Sequence, residues 1–431
     1  MRPAKKTALL WSGLVISTLV CIEGLSWVTL LVLDRWKDVR PPAEFQLSEQ
    51  QMGFLDPALG GGYGNRCWHP DLGWTMTAGY GGHGKYVNSM GLCSEHEHSV
   101  EKPQGVIRIE AFGDSWVEAA DVSTRDSWPS ILERRIVGSE VLNFGVGGYG
   151  PDQAWLRYRL EGRKFKPDVV LICYMTENIN RVVNVFRPFY GGERCEPFTK
   201  PRFVLESDTL RLIPNPIRRV EDLGRLQDPR FVRRLGRDDF WYSYRYGPDW
   251  VPPWVRGLGI GRLALLMAFQ VKAQFYDEWA PLMPKISYDR GMKEYQLVPA
   301  ILEGFYREVE GDGGQPLIVV FDPDDKIRHW RKRQILVEKV LLEDLDRFGL
   351  LYADYCTVLD TIGPQYAVDE LFKGHPSELG NVLEAEMVIR RLLQLGWMDS
   401  SRVIDDPLVG VGPPQGVATP TVRAVESTRI A

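Results

Sequence analysis

Apolar positions along the chain fall into three kinds of pattern. Residues 7–33 are apolar throughout except for a few small polar residues and Glu23, a run long enough to cross a bilayer as a helix. Several short runs read as strands. Residues 106–112 (VIRIEAF) are apolar or β-branched apart from Arg108 and Glu110. Residues 141–144 form a shorter run, and residues 168–174 (DVVLICY) and 316–321 (PLIVVF) are continuous apolar stretches, as in strands buried on both faces. Residues 350–355 form a weaker strand. Between these runs lie stretches of helical spacing at 127–136, 152–160, 329–348 and 377–395, the last with Leu379, Val382, Leu383, Met387, Leu392 and Leu393 on one side. Strand alternating with helix predicts an α/β fold, a three-layer α/β/α sandwich around a central parallel sheet.

The same patterns divide the chain. Residues 1–40 hold a short basic stub and a transmembrane anchor. Arg2, Lys5 and Lys6 precede the apolar run and mixed charge follows it, which places the N-terminus in the cytoplasm and the bulk of the chain outside, on the periplasmic side of the membrane. A cleaved signal peptide would have a shorter apolar core and a small-residue cleavage site, and none follows Leu33. Residues 41–105 form a small turn-rich β module with two glycine clusters that lack the lysine and serine of a phosphate loop. Residues 106–398 carry the α/β pattern, interrupted by a large insertion at about 186–299. Within the insertion, PRFVLESDTLRLIPNP reads as a hairpin turning at Ser207-Asp208. The basic and aromatic tract that follows reads as a helical arm with a solvated charged face. The alternative is a platform over a site, with Trp241, Tyr242 and Tyr244 stacking on sugars. Residues 399–431 read as a disordered tail.

Charge and cysteine content narrow the function classes. A formal net charge of -5 argues against a general nucleic-acid binder. Cys21 and Cys173 lie in apolar runs and read as buried thiols. Cys67 with Cys93, or Cys195 with Cys356, are possible disulfides outside the cytoplasm, and sequence selects neither. No cysteine–histidine spacing suggests a metal, and the lone His69 and His83 read as structural or surface residues.

Four separated pieces carry chemistry. GDSW places Ser115 directly after a strand, where a hydroxyl can stand at the sheet's C-terminal edge. NFGVGGYG places Gly145, Gly147 and Gly148 after another strand, where a backbone can approach a ligand closely. YMTENINR places Asn178 after DVVLICY, and KGHPSELGN places His375 before a helix capped by Ser377. Serine, histidine and clustered N–H donors form the constellation for acyl transfer.

In this order, the pieces resemble the blocks of the SGNH/GDSL hydrolase superfamily. The resemblance covers about 106–185 and 316–395, and implies a flavodoxin-like sheet, Ser115 as nucleophile and His375 as base. It implies an oxyanion hole from the N–H groups of Ser115 and Gly148 and the amide of Asn178. Two blocks depart from the family pattern. Ile179 replaces the usual aspartate after Asn178, and a one-residue shift would put Glu177 in the asparagine slot. Phe372 stands where the family has an acid three residues before its histidine. Asp369 is the candidate third catalytic residue, with Glu370 beside it; the alternative is a Ser–His dyad oriented by a backbone carbonyl. With the Lys200-Pro201-Arg202-Phe203 run, the chain also resembles membrane-anchored bacterial envelope members of the superfamily.

The expected activity is serine-dependent ester hydrolysis, removing O-acyl groups from carbohydrate outside the cytoplasm, with no metal or organic cofactor. The expected partners are an acylated carbohydrate or other ester and the membrane, through the N-terminal helix. The rivals are an O-acyltransferase, with a sugar hydroxyl replacing water, and a catalytically silent binding module.

Overall fold

The computed structural model describes residues 3–37, 47–55, 62–191, 195–242, 253–264, 267 and 286–405. Five strands make one sheet: β1 (Ile107–Gly113), β2 (Ser139–Gly145), β3 (Val169–Met175), β4 (Gln315–Phe321) and β5 (Tyr352–Asp354). Their spatial order is β2-β1-β3-β4-β5, and every pairing is parallel. This is the flavodoxin-like order, whose switch point lies between β1 and β3.

Strand alternation explains the layers. Val170, Ile172 and Tyr174 of β3 join Phe112, Phe144, Ile318 and Val320 on one face. Val169, Leu171, Cys173 and Met175 join Ile109, Ala111, Leu317 and Val319 on the other. Helices Pro151–Arg157, Lys293–Gly311 and Lys339–Arg347 cover the first face; Trp128–Arg135, Tyr355–Ile362 and Glu378–Gln394 cover the second. The two charges in β1 are both buried. Arg108 is bonded to Glu140 and to the carbonyls of Ser99, Val100 and Phe165. Among the described residues Glu110 has no hydrogen-bond partner, and burial raises its pKa well above the usual carboxylate range, which keeps it neutral.

The N-terminal helix spans Pro3–Lys37, and Trp11–Leu33 is long and apolar enough to cross a membrane. Its Glu23 accepts hydrogen bonds from Trp27 Nε1 (2.8 Å) and from the backbone N–H groups of Gly259 (2.5 Å) and Ile260 (3.1 Å), so the insertion touches this helix at the one acidic position of the apolar Trp11–Leu33 span. The glycine-rich module does not stand apart. Leu72, Trp74, Met76 and Leu92 belong to the same apolar layer as β1 and β2. Trp74 Nε1 donates to the Gly147 carbonyl (3.0 Å), and the Cys93 N–H donates to the Asn143 carbonyl (3.0 Å).

Three expectations change. All six cysteines are free thiols, so neither Cys67 with Cys93 nor Cys195 with Cys356 is bridged, and Cys21 is exposed on its helix. The tail does not begin at 399. Val403 bridges Ile136, and the Ile404 N–H donates to the Arg135 carbonyl (2.9 Å), so backbone hydrogen bonding carries the chain past 399. Residues 406–431 lie outside the described residues. Trp241 and Tyr242 are no stacking platform: both are buried, with Trp241 Nε1 donating to the Asn180 carbonyl (2.7 Å). Tyr244 lies outside the described residues. The hairpin is present, Arg202–Glu206 against Thr209–Ile213, turning on Ser207 and Asp208 at positive φ. Its first residues anchor the insertion. Lys200 is buried against Asp152 and also donates to the carbonyls of Arg181 and Asn184.

Candidate active site

The sheet edge assembles the site. β1 ends at Gly113, Asp114 caps the one-turn helix Ser115–Glu118 by accepting from the Trp116 N–H (2.9 Å), and Ser115 opens that turn. His375 arrives from the far end of the chain. It sits in a tight hairpin, Phe372–Lys373 against His375–Pro376, turned by Gly374 at φ +97°, a conformation that favours glycine. Ser377 then caps helix Glu378–Gln394 through the Gly380 N–H. His375 Nε2 lies 2.9 Å from Ser115 Oγ, and Trp116 packs on the imidazole at 5.0 Å between centroids.

The acid beside His375 is Asp121. Its Oδ2 lies 3.0 Å from His375 Nδ1 and accepts from the His375 backbone N–H (3.2 Å). Asp369 is not near the imidazole: it is 82 % exposed and pairs with Arg328. Glu370 accepts from the Ala367 N–H (2.7 Å), closing the first turn of its own short helix. The sequence reading looked for the acid upstream of the histidine, where the family carries it. The carboxylate in contact with His375 instead comes from six residues after the serine. The left-handed residue Ala119 (φ 54°) ends the helical turn after Glu118, and the chain then leads to Asp121 beside the hairpin. An acid just past GDSW was the only sequence signal, and it has no family spacing to mark it. Lys85 of the N-terminal module donates to the Ala119 carbonyl (2.5 Å) and so holds that bend.

The three glycines after β2 have different roles. A Cβ on Gly145 would lie 2.2 Å from the Glu118 backbone nitrogen, so glycine is required there by close packing, and one on Gly147 would lie 2.1 Å from the Arg66 guanidinium and displace it. The Gly147 N–H is occupied by Glu118 (2.6 Å), whose carboxylate also receives Asn65 and Arg66 from the module. Gly148, at φ +85°, differs. Among the described residues, its N–H and that of Ser115 make no hydrogen bond. The Arg187 guanidinium lies against it, 2.9 Å from where a Cβ would stand, and among the described residues Arg187 Nε is buried without a hydrogen-bond partner. Burial and the neighbouring Arg181 push the Arg187 pKa down, although an arginine stays charged.

Asn178 is buried and Glu177 is exposed. One amide hydrogen of Asn178 goes to Asp114 Oδ2 (2.7 Å), which also receives Arg181 (2.7 Å). The same amide has a second hydrogen to offer. Thr176, in this loop, donates to Asp322 Oδ1 (2.9 Å).

Two groups the sequence reading passed over meet in space. His96, His98 and Glu133 bring donor atoms within 4.8 Å of one another, as do the buried Asp322, Glu338 and Asp354. In the second group burial and mutual repulsion raise Asp322 well above the usual range and Glu338 to about 7. His69 accepts from the N–H groups of Asp71 and Leu72, a turn-stabilising role, and His83 is exposed.

No protein-family model matches the chain, and no curated protein matches it either. Solved structures that align with it include a member of the lipolytic protein G-D-S-L family from Veillonella parvula DSM 2008 (14% identity, TM-score 0.30, covering 66% of this chain and 97% of that one). An acetylxylan esterase from Geobacillus stearothermophilus aligns at 11% identity and TM-score 0.33, covering 66% of this chain and 94% of that one.

Proposed function

We propose that this chain is a serine-dependent esterase of the SGNH/GDSL type. The observation that carries the reading is the contact chain Ser115–His375–Asp121, with the N–H groups of Ser115 and Gly148 free of hydrogen bonds among the described residues. Ser115 Oγ attacks the ester carbonyl while His375 Nε2 takes its proton. Asp121 holds Nδ1 as the donor and stabilises the imidazolium. The Ser115 and Gly148 N–H groups, with the second amide hydrogen of Asn178, hold the developing oxyanion. The protonated His375 then gives its proton to the departing alkoxide, and water, activated by the same imidazole, releases the acid. In this reading the substrate is an O-acylated carbohydrate, and the N-terminal helix anchors the domain on the periplasmic face of a membrane.

A serine-directed fluorophosphonate probe tests the reading. Wild-type protein should label, and Ser115→Ala and His375→Ala should not. An acetylated oligosaccharide should release free acetate, whereas transfer would yield an acetylated acceptor sugar. A folded wild-type protein that neither labels nor releases acid would overturn the proposal.

A further inference from the structure

The last part of the N-terminal module, ahead of β1, holds the run Ser94-Glu95-His96-Glu97-His98. His98 is 4 % exposed, yet among the described residues neither ring nitrogen has a hydrogen-bond partner. Buried polar atoms are rarely left in this state. The His96 ring lies 4.5 Å away between centroids, and His96 Nε2 stands 3.2 Å from Glu133 Oε1. Tetrahedral zinc with bonds of about 2.0–2.1 Å sets neighbouring donors roughly 3.3 Å apart. The His96–Glu133 pair already has that spacing, and His98 lies within 4.8 Å, a modest ring rotation from it.

We propose that His96, His98 and Glu133 bind a zinc ion, with the fourth position taken by water. The surroundings fit a cation. The second oxygen of Glu133 accepts from the Val141 N–H (2.6 Å), the kind of outer bond that orients a ligating carboxylate. Burial lowers the pKa of His98, so its lone pair is available at neutral pH. Glu95 and Glu140 add negative charge near His96. Two imidazoles and one carboxylate suit zinc better than calcium or magnesium, which prefer oxygen donors alone. The site lies near the N-terminal end of β2, at the other end of the sheet from Ser115. Its role is therefore structural: it would pin residues 94–98 to helix Trp128–Arg135 and to the start of β2.

Isothermal titration of untagged, full-length protein in detergent with Zn2+ tests this. One equivalent should bind with a Kd of about 1 µM or tighter, a figure set from the ligand count. Saturating zinc should raise Tm by several degrees. His98→Ala should weaken binding about 100-fold or more. His96→Ala, on a partly exposed side chain, provides the same test if His98→Ala does not fold. Glu133→Gln keeps an acceptor for Val141 while removing the charge, and should also weaken binding. Failure to bind zinc below about 100 µM would overturn the proposal, as would binding undiminished in these variants, and Ser115 labelling is unaffected by either outcome.

Discussion

Replacing Asp121 by Asn is the sharpest test of the site, because only the tertiary structure assigns that residue beside His375. In serine proteases the buried triad aspartate contributes about four orders of magnitude to kcat, lost on conversion to Asn. Asp121 is not buried: its side chain is 45 % exposed, and that of His375 is 29 % exposed. Water reaches the carboxylate, raises the effective dielectric around it, and can hydrogen-bond the imidazole in its place. A hydrogen bond to a charged group contributes about 1.5–3 kcal/mol. At about 1.4 kcal/mol per factor of ten, that is roughly 10- to 150-fold in rate. The amide oxygen of Asn can still accept from the His375 backbone N–H, so the hairpin itself should hold. We expect Asp121→Asn to lower kcat/KM on p-nitrophenyl acetate by about 10- to 100-fold at pH 8, with KM and Tm nearly unchanged. Asp369→Asn, assayed alongside, should stay within about twofold, as expected for an exposed surface pair. A loss under twofold for Asp121→Asn, or equal losses for both variants, would refute the assignment. A loss near four orders would refute the screening argument and imply that the loop closes over Asp121 when substrate binds.

The other predictions concern the edge of the sheet. Gly148→Ala places an L side chain at φ +85°, at a strain of about 1–2 kcal/mol, and pushes on the Arg187 guanidinium. Initial-rate and melting measurements should show kcat falling more than stability, because the Gly148 N–H is turned away from the oxyanion; a fall in Tm with unchanged kcat would count against its role. The buried Asp322, Glu338 and Asp354 make stability depend on pH. The folded state holds Glu338 at about 7 against an ordinary 4.5, so the native protein binds more protons than the unfolded chain across that window. Stability should therefore fall as pH rises from about 4.5 to about 7. Asp322→Asn should flatten that slope and raise Tm at pH 8, and a steeper slope in thermal melts would sink the argument.

The legibility of this chain follows its local signals. The strands and the two-sided sheet could be read directly, since DVVLICY and PLIVVF are apolar at every alternate position whichever face they meet. The N-terminal apolar helix, the hairpin at Ser207-Asp208 and the cap at Ser377 are likewise local, set by run length and short-range hydrogen bonds. Ser115 and His375 were legible as candidates because each follows a recognisable break, and the sheet edge joins them. The tertiary structure decided the rest. It placed Asp121, not Asp369, beside the imidazole, since a bend held by Lys85 and a glycine hairpin 254 residues away must meet for that contact to exist. It packed Gly145 against the Val117–Glu118 backbone and Gly147 against Arg66 of the N-terminal module, and among the described residues left the Gly148 N–H without a hydrogen bond. It also gathered His96 and His98 of the N-terminal module with Glu133 of a helix in the α/β domain. Sequence reports what a residue can do and what its near neighbours dictate. Which distant side chain it meets depends on packing between layers, and that is encoded in no single stretch of the chain.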